Sequence, residues 1–140
     1  MALAGIAAER TVLLGTRSYA LEEMMFIGSE GIEVIPAAEC LAASPVEIAS
    51  RIAERLAGAP AVYLGVDIDG FDAACAPGTG YPMPGGVTAD WFFGLLDHLL
   101  PAVPVRAMDI TEIAPPLDPN DVTAFLGVQV VLETLGNLVW

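Results

Sequence analysis

Residues 61–86 constrain the fold more than any other stretch: an apolar run, 61–66, ends in Asp67, Asp69 and Asp72, and a loop rich in Gly and Pro follows. The run has the length and β-branched character of a buried parallel strand, with turn residues at its exit. Side chains on a strand alternate with period two, so Asp67 and Asp69 are expected to point to the same side. Carboxylates placed side by side raise each other's pKa unless a cation or a proton compensates. Ligands bind at the carboxyl ends of strands in α/β sheets, and there a divalent metal is the simplest compensator. Oxygen donors of this kind suit Mg²⁺ or Mn²⁺ better than softer ions.

Three other readings compete on the same residues. An Asp-x-Asp after an apolar run also serves plain loop chemistry, forming turns and capping backbone amides. An EF-hand loop would place Phe71 at a ligand position and Asp72 where glycine is required, so that reading fails. Asp67-Ile68-Asp69-Gly70 after a strand also resembles the haloacid-dehalogenase phosphotransferase motif. That family needs a downstream Lys, and the five basic residues are Arg10, Arg17, Arg51, Arg55 and Arg106, with no Lys in the sequence. The phosphatase remains a remote alternative.

A longer pattern strengthens the metal reading. Asp67, Asp69 and Asp72 are followed by Ala76-Pro77-Gly78-Thr79-Gly80-Tyr81-Pro82-Met83-Pro84-Gly85-Gly86-Val87-Thr88. Met108-Asp109-Ile110-Thr111-Glu112-Ile113-Ala114-Pro115 and Asp118 lie further on, and Gly15-Thr16-Arg17-Ser18 lies upstream. Together, in this order, they resemble the ureohydrolases, the arginase/agmatinase family, most closely its agmatinase-like members. Ala73, Gly65 and Val87 depart mildly from that family's usual Pro, Ser and Leu.

The resemblance implies hydrolysis of a small cationic guanidino compound to urea and an amine, with two Mn²⁺ ions as cofactor. Asp67 and Asp69 would be metal ligands, and Glu112 would receive the substrate guanidinium. Asp72 would bind loop amides or orient a ligand, and Asp109 and Asp118 are expected to be structural. From its place at a strand end, Arg17 reads equally as structuring the cleft rim through an ion pair with a carboxylate or as a solvated residue. Family members take four of six metal ligands from earlier G-G-D-H and D-A-H-x-D segments, and neither occurs here. The only histidine, His98, reads as a surface or half-buried helix residue, and no catalytic residue is assigned within the chain. Residues 1–140 are thus expected to be a single partial domain, the C-terminal portion of a three-layer α/β/α ureohydrolase fold. On its own the chain should be inactive; a naturally short, non-catalytic relative that assembles or binds metal weakly is the second reading.

The remaining sequence fits strand and helix in alternation, hence a parallel sheet with flanking helices. Strands are expected at 11–15, 32–35, 61–66 and 103–110. Helices are expected at 20–26 after Ser18 and ending at Gly28, from Ser44 to Gly58, from Thr88 to Leu100, and at 122–135 with Gly136 as C-cap. Residues 1–8 read as the tail of a helix rather than a signal peptide. In the ureohydrolase sheet four such strands would form two separate pairs, with an earlier strand between them. The gap should leave edges and apolar faces bare, and so favour association.

A hydrophobic fraction of 55% fits elements meant for burial on both sides. The net charge of −13 argues against nucleic acid and anionic membrane as partners and leaves a small cationic substrate acceptable. No apolar run approaches the about 20 residues of a membrane span. Cys40 and Cys75, far apart and without motif spacing, read as reduced thiols of a cytoplasmic protein. The full-length protein is expected to be a homo-oligomer.

Overall fold

The computed structural model describes residues 6–139. In chain order the elements are β1 (Val12–Thr16), α1 (Leu21–Glu30), β2 (Glu33–Pro36), α2 (Ala37–Ala42), α3 (Pro45–Arg55), β3 (Val62–Asp67), α4 (Ala89–Leu99), β4 (Val105–Thr111) and α5 (Val122–Val139). Strand and helix alternate and every ladder is parallel, so the fold is α/β. Most of the expected helix tail at 1–8 lies outside the described residues; Ala8–Arg10 forms a single 3₁₀ turn.

Among the described residues the strands form two separate two-stranded sheets, β1 with β2 and β3 with β4. Among the described residues no ladder joins β1 to β3. The gap expected from the sequence is therefore present, and the two pairs are those anticipated. In the second sheet Gly65 pairs with Asp109, Val66 with Ile110 and Asp67 with Thr111. One face, carrying Leu64, Val66, Met108 and Ile110, packs into the core, whereas Tyr63, Gly65, Asp67, Asp109 and Thr111 lie exposed on the other.

Local chemistry explains the helices that cover the inner face. Ser44 accepts the Glu47 amide at 3.3 Å while Glu47 Oε2 accepts the Ser44 amide at 2.9 Å, the reciprocal capping box that fixes the start of α3. Pro45 at the first helical position adds its preset φ. Thr88 likewise accepts the Trp91 amide at 3.3 Å to start α4. Ile48, Ile52 and Leu56 from the α3 segment then meet Phe92, Leu95, Leu96 and Leu99 of α4 in a core that includes Ile35, Val66, Ile68 and Phe71.

Three helix boundaries differ from expectation. α1 starts at Leu21, where Glu23 accepts the Ala20 amide at 2.7 Å, so Ser18 is not its cap. It runs through Gly28 and stops at Gly31, whose φ of 70° supplies the left-handed C-cap. α5 runs through Gly136 to Val139, because the packing face set by Leu126, Val130 and Thr134 outweighs glycine's weak helix propensity. α2 was not anticipated, since its six residues are too few to show a helical period.

Candidate metal and substrate site

β3 ends at Asp67 and the chain turns at once through a 3₁₀ segment, Ile68–Gly70. Asp67 Oδ1 accepts the Asp69 amide at 3.3 Å, an Asx-type bond that drives the turn. Asp69 therefore leaves the pleat, and strand alternation does not describe the pair beyond Asp67. The two carboxylates still meet. Burial raises the Asp69 carboxyl above its ordinary range, the neighbouring Asp67 carboxylate raises it further, Arg17 opposes, and Glu112 adds to the rise. Those four groups thus converge where β3 and β4 end, with Asp67 and Glu112 exposed and Asp69 half-buried.

Glu112 follows β4 with a φ of 65°. A left-handed glutamate is uncommon and costs about 1–2 kcal/mol, so the surrounding contacts must over-determine it. Ala114 helps: its amide donates to the Gly78 carbonyl at 2.8 Å, pinning the segment after Glu112 to the glycine loop.

The glycine loop is held from two sides. Asp72 Oδ1 accepts the Ala74 amide at 2.9 Å and Oδ2 the Gly85 amide at 2.6 Å. These amides hold the Asp72 carboxyl below the usual carboxylate range. At the other end the Gly78 amide donates to Thr123 Oγ1 at 2.6 Å, while Asp118 accepts the Thr123 and Ala124 amides at 2.9 and 2.8 Å and so caps α5. A Cβ on Gly78 would lie 2.4 Å from Asp118 Cβ, so glycine is what permits this approach. The structural role expected for Asp118 is thus helix capping, and an Asp shortly before an apolar helical stretch is the sequence signal for it.

Arg17 also sits here, in a manner the sequence did not suggest. Among the described residues it makes no ion pair; its guanidinium donates to the backbone carbonyls of Asp69, Gly70 and Phe71. His98 is exposed on α4 and donates Nδ1–H to the Gly94 carbonyl at 2.8 Å, well occupied away from this cluster.

As a donor set Asp67 and Asp69 are hard and anionic, the oxygen chemistry that suits a divalent cation such as Mg²⁺ or Mn²⁺. Two aspartates make only part of a cage. Among the described residues no three His, Cys, Asp or Glu side chains are grouped to hold a metal ion.

Comparison with known proteins gives a consistent result. The family described as the Arginase family matches residues 1–136. A guanidinobutyrase of Pseudomonas aeruginosa is 33% identical over 129 residues, 91% of this chain and 40% of that protein. The mitochondrial agmatinase of Gallus gallus is 34% identical over 128 residues, 90% of this chain and 37% of that protein. Among solved structures, a hypothetical agmatinase from Burkholderia thailandensis superimposes with a TM-score of 0.84 at 30% identity, covering 95% of this chain and 40% of that one. The chain thus spans about two fifths of the length of the proteins it matches.

Proposed function

The chain belongs to the arginase family, and from that premise we propose that it forms the carboxylate side of a Mn²⁺-dependent site that hydrolyses a small guanidino compound, agmatine or a close analogue, to urea and an amine. The observation that carries this reading is the placement of Asp67, Asp69 and Glu112 at one sheet end, where Asp67 pairs with Thr111, Asp69 follows on the turn after β3 and Glu112 follows β4. Asp67 and Asp69 would hold Mn²⁺, in two ions per complete site. When bound, the ions supply Lewis acidity that makes water nucleophilic near neutral pH. Glu112 accepts parallel N–H bonds from the substrate guanidinium, which orients the planar carbon. Asp72 keeps the glycine loop folded beside the site through the Ala74 and Gly85 amides.

On this reading the chain is the C-terminal portion of one catalytic domain. The other ligands and the proton-transfer group come from residues outside residues 1–140, and a strand from that portion fills the gap between β1 and β3. The complete protein would be a cytoplasmic homo-oligomer. No described helix is long and apolar enough to cross a membrane.

A second reading, a short non-catalytic relative, draws on the absence of any three-ligand group among the described residues. Urea release decides between the two. The 140-residue chain alone should release none from agmatine. Co-expression with an arginase-family segment carrying the G-G-D-H and D-A-H-x-D motifs should restore Mn²⁺-dependent turnover, and Asp69→Asn should remove at least about 100-fold of it. Turnover by the isolated chain, or turnover indifferent to Asp69→Asn, defeats the proposal; a complement that never restores activity favours the non-catalytic relative.

A further inference from the structure

Arg17 follows β1 in the first sheet, yet each hydrogen bond its guanidinium makes among the described residues goes to the turn that follows β3 in the second. Nη2 donates to the Asp69 carbonyl, and Nη1 to the carbonyls of Gly70 at 3.3 Å and Phe71 at 3.2 Å. These three consecutive carbonyls define the path of the segment that carries Asp69. The seat is shaped for the guanidinium. Gly86 is buried, and a Cβ there would lie 2.0 Å from Arg17 Nη1 and 2.3 Å from the Phe71 carbonyl carbon. Gly15, with a φ of 74°, lets β1 bulge just before Arg17 and pass beside the Gly70 carbonyl. On its far side the same segment is tied to Val87, whose amide donates to the Gly70 carbonyl at 3.2 Å and whose carbonyl accepts the Asp72 amide at 2.9 Å.

A cation this close to an aspartate would ordinarily neutralise it. Here the carboxylate of Asp69 is left without an ion pair among the described residues, because the arginine binds backbone instead. We propose that Arg17 is a positioning residue: reaching from the first sheet to the second, its guanidinium fixes the backbone of residues 69–71 and so aims the Asp69 carboxylate at a divalent cation. A planar fork can serve several carbonyls at once, whereas a lysine ammonium is a compact point charge on a flexible stem. The aim toward a cation rests on the metal reading given above; the hold on the backbone does not.

The 140-residue chain tests both parts by NMR, through amide hydrogen exchange and through line broadening on addition of Mn²⁺ alone. In Arg17→Met, exchange at Phe71, Asp72 and Val87 should quicken at least about tenfold while α3 and α4 keep their protection. Arg17→Lys should recover part of the difference, and Gly86→Ala should reproduce the loss by closing the seat. Broadening around Asp69 should need several-fold more Mn²⁺ in Arg17→Met than in the unaltered chain, and should vanish in Asp69→Asn. Unchanged exchange at the three amides, or acceleration shared equally by α3 and α4, overturns the proposal. So does broadening that Asp69→Asn removes and Arg17→Met leaves intact. Broadening that survives Asp69→Asn instead defeats the metal reading, and the aim toward a cation falls with it.

Discussion

Asp69 is worse off in the fold than it would be in an extended chain: burial and the Asp67 carboxylate both raise its carboxyl. A carboxyl raised in the folded state contributes stability at pH below its unfolded value, and that contribution is lost as pH rises through the folded value. The chain therefore carries a penalty at neutral pH. Asp69→Asn should raise its thermal midpoint at pH 7 and leave it nearly unchanged below about pH 4, as circular dichroism melts would show. A lower midpoint at pH 7 would mean that the charged side chain is satisfied within the chain itself. Asp72 has the opposite sign, because the Ala74 and Gly85 amides hold its carboxyl low. Its contribution is present above the unfolded value of about 3.9 and is lost as pH falls through the lower folded value. Asp72→Asn should accordingly flatten the acid limb of the melting profile. Asp118→Ala removes the acceptor for two amides at the start of α5, and a lower midpoint is expected in urea denaturation.

Helix ends separate local chemistry from packing. The starts of α3 and α4 follow from a few neighbouring residues, and Ser44→Ala should destabilise by about 1 kcal/mol through loss of its capping box. α5 behaves differently. Gly136 resembles a terminator, yet it lies inside the helix with nothing within 4 Å of where a Cβ would be. Gly136→Ala should thus stabilise by about 0.5–1 kcal/mol in urea denaturation, whereas a glycine serving as a left-handed cap would make the same change unfavourable. The turn after β3 teaches the same lesson on a smaller scale. Asp67-Ile68-Asp69 looks like strand alternation, but a side-chain acceptor two residues back from an amide wins over continued pleating.

At the scale of the whole molecule, the two sheets share one apolar core but no ladder, and large apolar side chains remain outside it. Met25 on α1 is 67% exposed, and Phe125 on α5 69%. Leu21 and Met24 on α1 and Val128, Leu132 and Leu135 on α5 are exposed as well. The isolated chain should sediment as a concentration-dependent mixture, with a broad unfolding transition and marked binding of a hydrophobic dye. Adding the complementary portion of an arginase-family protein should sharpen the transition and suppress dye binding. A sharp, concentration-independent transition of monomer alone would show that the gap is tolerated.

The residues alone determined the α/β class, two capped helix starts, the paired strands and the acidic exit of β3, because each depends on neighbours within a few positions or on a long matching pattern. Tertiary structure alone decided that Arg17 serves carbonyls across the sheet gap, that Glu112 is held left-handed beside the glycine loop, and that Gly78 and Gly86 are glycine to admit Asp118 and Arg17. Those contacts join segments tens of residues apart, and no local period or propensity encodes which distant group will arrive.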